Sequence, residues 1–296
     1  MKIIITGSLG HISRPLTAQL IKKGHAVTVI SSKADRQNEI EALGATAAIG
    51  ALEDAIFLTA TFTGADAVYC MIPPNNYFDH SLDLMAFYRQ VGDSYAQAIK
   101  TSGVKRIVQL SSIGAHLSKD SGLILAHHAV ENILGSLPGM AITHMRPTAF
   151  YYNLFPFING IKSTGTMASN YGADDVVAWV SPVDIATAVA DELETPLTGR
   201  KVRYVASEEL TCNQVAAILG AAIGKPDLKW IVISDEQLQA GLKAIGMNPK
   251  MAAGLTEMNA CMHRGELFED YFKNKPTLGT TKLSTFATEF AAAYNK

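Results

Sequence analysis

The sequence predicts an α/β protein in which a doubly wound parallel sheet is followed by a smaller mixed, mostly helical C-terminal part. Three observations support this fold class. Short segments rich in β-branched residues alternate with helical patterns through the first half of the 296 residues, which is typical of βαβ units. A turn with two glycines stands between the first strand and the first helix. After residue 147 the sequence changes to a cluster of aromatic residues followed by helix-start signals.

Six strands and two amphipathic helices can be placed in the first half. Leu16, Leu20 and Ile21 share one helical face, and a second such face runs from Leu84 to Ile99. Because strands that alternate with helices prefer parallel order and right-handed crossovers, we expect the six strands to form one sheet. The predicted strands are Lys2 to Thr6, Ala26 to Ile30, Thr46 to Ile49, Ala67 to Met71, Arg106 to Leu110 and Ala141 to Arg146.

The C-terminal part begins with an aromatic stretch from Phe150 to Phe157. A Gly/Ser/Thr-rich segment from Gly160 to Ala173 follows it. One hypothesis is that this segment closes over a ligand as a lid. Three helix starts come next. Ser181 precedes a proline, and Thr211 and Ser234 each stand three residues before a glutamine, which is the pattern of a capping box.

The composition argues against several classes of partner. The formal net charge is −2 and no Lys/Arg run is present, so neither nucleic acid nor an anionic membrane is an expected partner. No apolar stretch reaches the length of about 18 residues that a transmembrane helix needs, and the apolar start of the chain is too short for a signal peptide, which favours the cytoplasm. We expect a small-molecule partner, and both a monomer and a homodimer stay open.

The three cysteines, Cys70, Cys212 and Cys261, are odd in number and widely spaced. The sequence has no Cys-x-x-Cys pair and no Cys/His pair at zinc spacing. We therefore expect reduced structural thiols and no metal site. No flavin site is visible in the sequence either.

The loop from Thr6 to Ser13 carries the strongest functional signal. Gly7 and Gly10 have the spacing of a Gly-x-x-Gly-x-x-Gly loop in which Ser13 replaces the third glycine. Glycines let the backbone approach a pyrophosphate at a helix N-terminus. Because the loop follows a strand and opens a helix within a βαβ unit, it predicts a dinucleotide site, with an ordinary strand-to-helix turn as the alternative. The predicted contacts are Thr6, Gly7, Leu9, Gly10, His11 and Ile12.

This loop predicts that the first half of the chain is a Rossmann-type domain. Residues 1–150 are expected to bind NAD(P), and residues 151–296 to form a smaller substrate-binding part. The two parts are expected to interleave, with residues 181–205 returning to the sheet.

The end of the second strand bears on the choice between NAD and NADP. A carboxylate there would bind the ribose 2′-hydroxyl, whereas cationic and hydroxyl groups suit a 2′-phosphate. The chain has Ser31, Ser32 and Lys33 at this point, and Arg36 follows a turn later. The sequence therefore favours NADP(H) over NAD(H). In the alternative interpretation, Lys33 and Arg36 are only solvated.

Further motifs accompany the glycine loop: Gly64-Ala65-Asp66-Ala67-Val68, Ser111-Ser112-Ile113-Gly114-Ala115, Arg146-Pro147-Thr148-Ala149-Phe150 and Val183-Asp184-Ile185-Ala186. With them, nearly the whole chain resembles the NmrA-like branch of atypical short-chain dehydrogenases/reductases. That branch includes NADPH-dependent quinone, azo and triphenylmethane-dye reductases, isoflavone-reductase-like enzymes, and NmrA itself, a dinucleotide-sensing regulator without a known reaction. The resemblance implies a nicotinamide cofactor but leaves catalysis open. Together with the position of the strand ends, it adds cofactor contacts at Ile72, Pro73, Ser111, Ser112, Pro147 and Thr148.

The resemblance also identifies a position for catalysis. Active short-chain dehydrogenases carry a Tyr-x-x-x-Lys pair, and His127 and Glu131 stand at the matching positions. Quinone-reductase-like members are similar in having this His and Glu. The histidine would donate a proton or orient substrate, and the glutamate would hold the imidazole. Alternatively, His127 or His128 only binds a backbone carbonyl and Glu131 is a capping or surface residue. A Tyr-x-x-x-Lys string at Tyr271 is interpreted as coincidence.

An aromatic pocket is expected beside the nicotinamide. Reduction of a quinone or an extended imine needs proximity and aromatic walls more than acid catalysis. Core packing is the alternative for each ring, and a loop-anchoring role is the alternative for the asparagine. The predicted acceptor contacts are Pro74, Tyr77, Phe78, Ile113, Phe150, Tyr151, Tyr152 and Asn153.

The leading functional hypothesis is an NADPH-dependent oxidoreductase that transfers hydride to a quinone-like, azo or other conjugated small-molecule acceptor. A non-catalytic, NADP-binding redox sensor is the main alternative, and the missing Tyr/Lys pair favours it somewhat. A nucleotide-sugar epimerase is a third reading, against which the missing tyrosine base argues.

Overall fold

Strands and helices alternate regularly through the first half of the chain. The computed structural model describes residues 1–196 and 198–296. The elements of the first half are β1 (Lys2–Ile5), α1 (Ser13–Lys22), β2 (Ala26–Ser31), α2 (Gln37–Ala42), β3 (Thr46–Ile49), α3 (Ala55–Phe62), β4 (Ala67–Cys70), α4 (Leu84–Ser102), β5 (Arg106–Leu110), α5 (Leu125–Gly135) and β6 (Ala141–Pro147). Each of the six predicted strands is confirmed, with boundaries that agree to within one residue.

The second half mixes short strands with helices. Its elements are β7 (Ala149–Phe150), α6 (Phe157–Thr164), β8 (Thr166–Ser169), β9 (Val176–Val180), α7 (Pro182–Glu194), β10 (Arg200–Val205), β11 (Glu208–Thr211), α8 (Cys212–Ala222), β12 (Lys229–Val232), α9 (Asp235–Ala244), α10 (Pro249–His263), α11 (Glu269–Lys273) and α12 (Leu283–Tyr294). Ser181 caps α7, and Thr211 and Ser234 form capping boxes with Gln214 and Gln237, which confirms the three helix starts.

The central sheet has seven strands in the order β10-β6-β5-β4-β1-β2-β3, and all its pairs are parallel. The chain thus winds outward from β1 in both directions, as the predicted doubly wound α/β fold requires. β10 was not among the predicted strands. Its residues Arg200, Lys201 and Arg203 hide the usual apolar pattern, because β10 lies at an edge of the sheet, where charged side chains are common.

Helices cover both faces of this sheet, and each face has its own apolar core. On one face, Leu16 and Leu20 of α1 pack with Ile185 and Val189 of α7. On the other, α3, α4 and α5 pack through residues such as Val91. Because all seven strands are parallel, their carboxyl ends meet at one edge of the sheet, where the loops can bind a ligand.

The C-terminal part packs around a third core that contains Trp179, Trp230 and Phe290. It holds two small sheets, β11-β9-β7 and β12-β8. The hypothetical lid from Gly160 to Ala173 is part of this packed body, since β8 pairs with β12 and Met167 is fully buried. The lid hypothesis for this segment is therefore wrong.

The cysteines are free and buried, as expected. Among residues 1–196 and 198–296, no helix is both long enough and apolar enough to cross a membrane. Within the same residues, no group of three or more His, Cys, Asp or Glu side chains is arranged to hold a metal ion.

Candidate functional site

The glycine loop forms a close backbone turn at the end of β1. Gly7 has a φ of +88°, and a Cβ atom there would lie 2.6 Å from Met71 Sδ and 2.9 Å from Ser13 Oγ. Ser13, in place of a third glycine, donates a hydrogen bond from Oγ to Thr6 O at 2.9 Å. Glycine is thus required at position 7 for both conformation and space.

The N-terminus of α1 is open toward this turn. No side chain caps the helix at Ile12, and the first turn contains no acidic residue. The N–H of Arg14 donates to Gly10 O at 3.0 Å, and Pro15 has no N–H, so the N–H of Ser13 and the positive end of the helix dipole remain for an anion. Thr6 is fully buried and its N–H and carbonyl oxygen are bonded to Tyr69 O and Ser13 Oγ, so it supports the loop from below; Ile12 is also buried, whereas His11 is exposed. These features fit the diphosphate of a dinucleotide.

Ser31 ties the end of β2 to the glycine loop. Its Oγ accepts hydrogen bonds from Ser8 Oγ at 3.0 Å and from the N–H of Lys33 at 3.1 Å. The side chain is buried, so Ser31 shapes the site from below. Ser32 and Lys33 are exposed at the same strand end.

Sequence reasoning missed a second arginine at this strand end. Arg36 contacts Glu39 at 2.5 Å, and Arg14 from the first turn of α1 contacts the same carboxylate. Glu39 therefore holds the guanidinium groups of Arg14 and Arg36 together. Arg14 stands four residues after Gly10, and that position was the available signal.

Glu131 holds Ser111 rather than His127. It accepts a hydrogen bond from Ser111 Oγ at 2.6 Å, and Arg146 donates to its two oxygens at 2.9 Å and 2.6 Å. No hydrogen bond joins Glu131 to His127 within the described part of the chain. Burial raises the pKa of Glu131, but the hydrogen bonds and charge of Arg146 outweigh it and hold the pKa below its usual range.

The Ser111–Glu131–Arg146 network continues toward the C-terminal part. Arg146 donates to Tyr204 Oη at 3.1 Å and contacts Asp270 at 3.4 Å, and Tyr204 donates to Asp270 at 2.5 Å. Arg146 was not predicted as a site residue. Its guanidinium charge attracts the carboxylate of Glu131 more strongly than a neutral imidazole does, which explains why the predicted contact with His127 is not made.

Backbone hydrogen bonds join the carboxyl ends of β5, β6 and β10. The N–H of Ile113 donates to Pro147 O at 2.9 Å, and the N–H of Thr148 donates to Val205 O at 3.0 Å. Pro147, Thr148 and Ile113 are buried, while Ser112 is half-buried. The structure thus brings four of the predicted contacts together with Ser111.

His127 is half-buried and unpartnered. Its ring meets Tyr88 edge-on, with centroids 5.1 Å apart, and its nitrogens make no hydrogen bond within residues 1–196 and 198–296. Burial lowers the pKa of His127 to about 4, so the ring is neutral near pH 7. The backbone carbonyl contact belongs to His128, whose Nδ1 lies 2.9 Å from Ala115 O.

Aromatic rings lie between the glycine loop and His127, and we call this region the cleft. Tyr152 lies between His11 and Phe150, with ring centroids 5.2 Å and 4.8 Å away. Burial raises the pKa of Tyr152 to about 12 and also raises that of Tyr88, and in both cases the nearby phenol of Tyr77 contributes. We call His11, Tyr77, Tyr88, His127, Phe150 and Tyr152 the aromatic cluster. Tyr88 lies on α4, within the helical face from Leu84 to Ile99 that the sequence predicts.

Other predicted acceptor contacts lie elsewhere. Tyr151 is 1% exposed, stacks on Phe286 and donates hydrogen bonds to Glu208 and Thr281 O. Its phenol is therefore committed to the C-terminal core. Phe78, Asn153 and Pro74 are exposed, and Ile72 and Pro73 are half-buried after β4.

The Tyr-x-x-x-Lys string has a structural contact. Tyr271 donates to Glu209 at 2.8 Å, and Lys275 pairs with the same carboxylate at 2.7 Å. Both therefore link α11 and the segment after it to β11, away from the glycine loop.

Two cavities lie outside the cleft. One of about 440 Å³ is lined by Asp235 and Glu257 of the C-terminal helices. Another of about 570 Å³ follows β10 and is lined by Arg203 and Asp270. Arg203 pairs with Glu192 at 3.2 Å, a carboxylate that Arg106 and Lys201 also contact. Neither cavity is lined by the glycine loop.

Comparison with known proteins agrees with this geometry. The family model of the NmrA-like family matches residues 1–288. The chain belongs to the NmrA-like family. This assignment confirms the resemblance carried by the glycine loop and the motifs at the ends of β5 and β6.

Relatives of this NmrA-like protein include reductases. An NAD(P)H azoreductase from Xenophilus azovorans is 26% identical over 294 residues, which are 99% of this chain and 97% of the azoreductase. An NADPH-dependent quinone oxidoreductase from Escherichia coli, solved with NADPH, superimposes with a TM-score of 0.79 at 22% identity, covering 97% and 99% of the two chains.

A nucleoside-diphosphate-sugar epimerase from Staphylococcus aureus has the same fold. It superimposes with a TM-score of 0.79 at 19% identity, and the match covers 97% of this chain and 100% of the epimerase. The similarity to solved structures therefore establishes the α/β fold alone, and the chemistry has to be argued from the site.

Proposed function

We propose that this NmrA-like protein is an NADPH-dependent reductase that transfers hydride to a conjugated small-molecule acceptor, such as a quinone or an azo compound. The observation that carries the proposal is the position of the aromatic cluster, which directly adjoins the glycine loop through the His11–Tyr152 contact at 5.2 Å. A planar acceptor would thus lie beside the cofactor. The activities of the azoreductase and quinone oxidoreductase relatives support this substrate class.

The chain offers a suitable group for each part of the cofactor. Gly7, Gly10 and the first turn of α1 would hold the diphosphate. The exposed Ser32, Lys33 and Arg36, joined by Arg14, would bind the 2′-phosphate, which favours NADPH over NADH. The remaining predicted contacts, Ile72, Pro73, Ser111, Ser112, Pro147 and Thr148, would lie along the nicotinamide half. The bound cofactor supplies the hydride.

Ser111 is prepared to accept a hydrogen bond. Its hydroxyl hydrogen is committed to Glu131 at 2.6 Å, so toward a ligand its oxygen would act as an acceptor. Glu131 is in turn held by Arg146. In this proposal Glu131 is a positioning residue for Ser111. The oxygen of Ser111 would accept a hydrogen bond from a ribose hydroxyl of the cofactor.

His127 would act as a neutral hydrogen-bond donor. Its pKa of about 4 leaves one N–H on the ring at pH 7, and that group is free to bind an oxygen or nitrogen of the acceptor. A quinone that gains a hydride, with its two electrons, needs one proton to become a hydroquinone. Solvent supplies that proton, so a strong acid is not required at this position.

A non-catalytic sensor of the cofactor's redox state is the second candidate. The observation that favours it is the absence of a strong acid among the groups described in the cleft: His127 is neutral, and Glu131 is bound to Arg146. A sensor would bind oxidised and reduced cofactor with different affinities and would turn over neither.

Oxidation of NADPH across a panel of quinones and azo dyes tests the proposal. We expect NADPH absorbance to fall only when an acceptor is present, and His127→Gln to reduce this rate. His263→Gln, on the exposed end of α10, is the control and should match the wild-type protein. Tight NADPH binding without oxidation by any acceptor would support the sensor instead.

A further inference from the structure

The loop between β4 and α4, residues 71–83, carries Tyr77 of the aromatic cluster. Two turns give this loop its own internal structure. Asn76 Oδ1 accepts a hydrogen bond from the N–H of Phe78 at 3.1 Å, and Asp79 Oδ1 accepts from the N–H of Ser81 at 2.8 Å. These bonds lie within the loop, so they fix its shape without fixing its position over the cleft.

Asn248 attaches this loop to the C-terminal part. Its backbone N–H donates to Tyr77 O at 2.9 Å, and its side-chain Nδ2 donates to Asp79 O at 3.0 Å. A third tie is the contact of His80 Nε2 with Gly246 O at 3.2 Å. Asn248 is 3% exposed, so water competes poorly for these hydrogen bonds.

Asn248 has a second task that can be separated from the first. It is the N-cap of α10, and its Oδ1 accepts a hydrogen bond from the N–H of Lys250 at 2.9 Å. The oxygen of the amide therefore serves the helix, while the nitrogen serves the loop. An aspartate would keep the helix cap, remove the donor to Asp79 O and place a carboxylate oxygen against that carbonyl, which weakens the loop attachment further.

The attached loop faces the candidate acceptor site. Tyr77 packs against the same apolar core as Tyr88 and Met247, and its phenol is a neighbour of Tyr152. The loop also contains a buried donor, Asn75 Nδ2, that has no hydrogen-bond partner within the described residues. A buried donor without a partner is costly, which makes the loop a suitable place for a polar atom of a ligand.

We propose that Asn248 is a positioning residue for the acceptor site: by holding Tyr77 and Asp79 of the 71–83 loop, it sets how closely Tyr77 approaches the acceptor and therefore which acceptor sizes bind well. This inference rests on the proposed reductase function. Among the residues that the structure describes, Asn248 makes no hydrogen bond to the glycine loop or to His127, so it acts through the 71–83 loop.

The test compares Asn248→Asp with three other variants, all loaded with NADPH. Asn248→Ala removes the helix cap together with the side-chain hydrogen bond to Asp79 O, and it leaves the backbone bond to Tyr77 O in place. His80→Ala removes the contact between His80 and Gly246 O, which is one of the three attachments of the loop. Because His80 is exposed, this variant still tests the loop attachment if a change at the buried Asn248 prevents folding. Thr211→Ala removes the N-cap of α8, far from the loop, and controls for the loss of a helix cap.

Two measurements are made on each variant. Hydrogen–deuterium exchange of residues 71–83 should be faster in Asn248→Asp and His80→Ala by about fivefold, the factor that one hydrogen bond supplies. The KM for a one-ring quinone should rise by a similar factor, the KM for a bulky azo dye should change less, and kcat and the Kd for NADPH should stay at the wild-type values. Thr211→Ala should alter none of these quantities.

Wild-type exchange in the loop of both Asn248→Asp and His80→Ala would overturn the inference. An unchanged ratio of the two KM values would overturn the specificity role in the same way. If the wild-type protein oxidises no acceptor, the reductase function fails separately. In that case the dissociation constants of the same quinone and dye, measured by quenching of tyrosine fluorescence, replace KM and decide the role of Asn248.

Discussion

The buried carboxylate of Glu131 is held by the guanidinium of Arg146 through two hydrogen bonds, at 2.9 Å and 2.6 Å. The two residues come from α5 and β6, so this pair joins a helix to the sheet directly under the proposed nicotinamide end of the cleft. Because Ser111 also donates to Glu131, the pair determines where that hydroxyl points. Its loss should therefore affect both stability and cofactor binding.

We predict that Glu131→Ala lowers the free energy of unfolding by about 3 kcal/mol, because removal of one partner leaves the buried charge of Arg146 uncompensated. Glu269→Ala is the matched control. It removes a carboxylate that pairs with Lys273 on the surface, where solvent screens the two charges and the pair contributes little to stability. Urea unfolding measures both values. Equal losses in the two variants would show that the Glu131–Arg146 pair does not stabilise the fold.

The pH dependence of stability should separate His127 from Glu131. The folded pKa of His127 lies at about 4, below the value of about 6.5 in the unfolded chain. The unfolded state therefore binds a proton first, and stability should fall as the pH drops from about 6.5 toward 4. His127→Gln should reduce this slope. The folded pKa of Glu131 is also lowered, so its contribution is present above about pH 4.3 and is lost only below it.

The same pKa predicts the pH profile of turnover. If His127 donates a hydrogen bond as a neutral ring, its titration does not affect kcat/KM near pH 6.5. The pH profiles of the wild-type protein and of His127→Gln should therefore have the same shape there. The variant should lower kcat/KM at every pH between 6 and 8 by a similar factor. A limb near pH 6.5 that the substitution removes would instead identify an imidazolium acid.

Gly7→Ala should prevent tight cofactor binding. The substitution combines a strained backbone with a methyl group 2.6 Å from Met71 Sδ, so the loop has to move. Gly24→Ala is the control, because Gly24 has a similar φ of +84° but open space around it. Both variants should lose stability, and calorimetric titration should show weaker NADPH binding only for Gly7→Ala. Wild-type affinity in Gly7→Ala would place the diphosphate elsewhere.

Lys33→Ala and Arg14→Ala should each weaken NADPH binding by about tenfold while changing NADH binding little, because one charge-assisted hydrogen bond to the 2′-phosphate is lost. Lys22→Ala, at the far end of α1, should bind both cofactors normally. Parallel titrations with NADPH and NADH give the comparison. A loss of affinity that is the same for both cofactors would mean that these cations do not bind the 2′-phosphate.

Local patterns were sufficient to predict most of the fold from the sequence. The periods of apolar residues and the helix caps placed β1 to β6 and the starts of α7, α8 and α9 correctly. β10 was not predicted, because charged residues interrupt the apolar residues of this strand. An edge strand has one open side and carries little of the apolar signal on which the prediction depended.

Neighbouring residues explain why the site was harder to predict. Tyr151 and Tyr152 are adjacent in one aromatic run, yet a short turn directs the first into the C-terminal core and the second toward His11. Sequence spacing likewise paired Glu131 with His127, one helical turn away. Its true partner, Arg146, lies on another element, and only the packing of α5 on the sheet brings the two together.

The most direct test of the central claim is the rate of NADPH oxidation by a quinone with deuterium placed on either face of C4 of the nicotinamide. The account predicts oxidation that requires the quinone and that is slower with deuterium at one of the two C4 positions, since a hydride leaves from a fixed face. Failure to bind NADPH, or binding without oxidation by any quinone or azo acceptor, would contradict it.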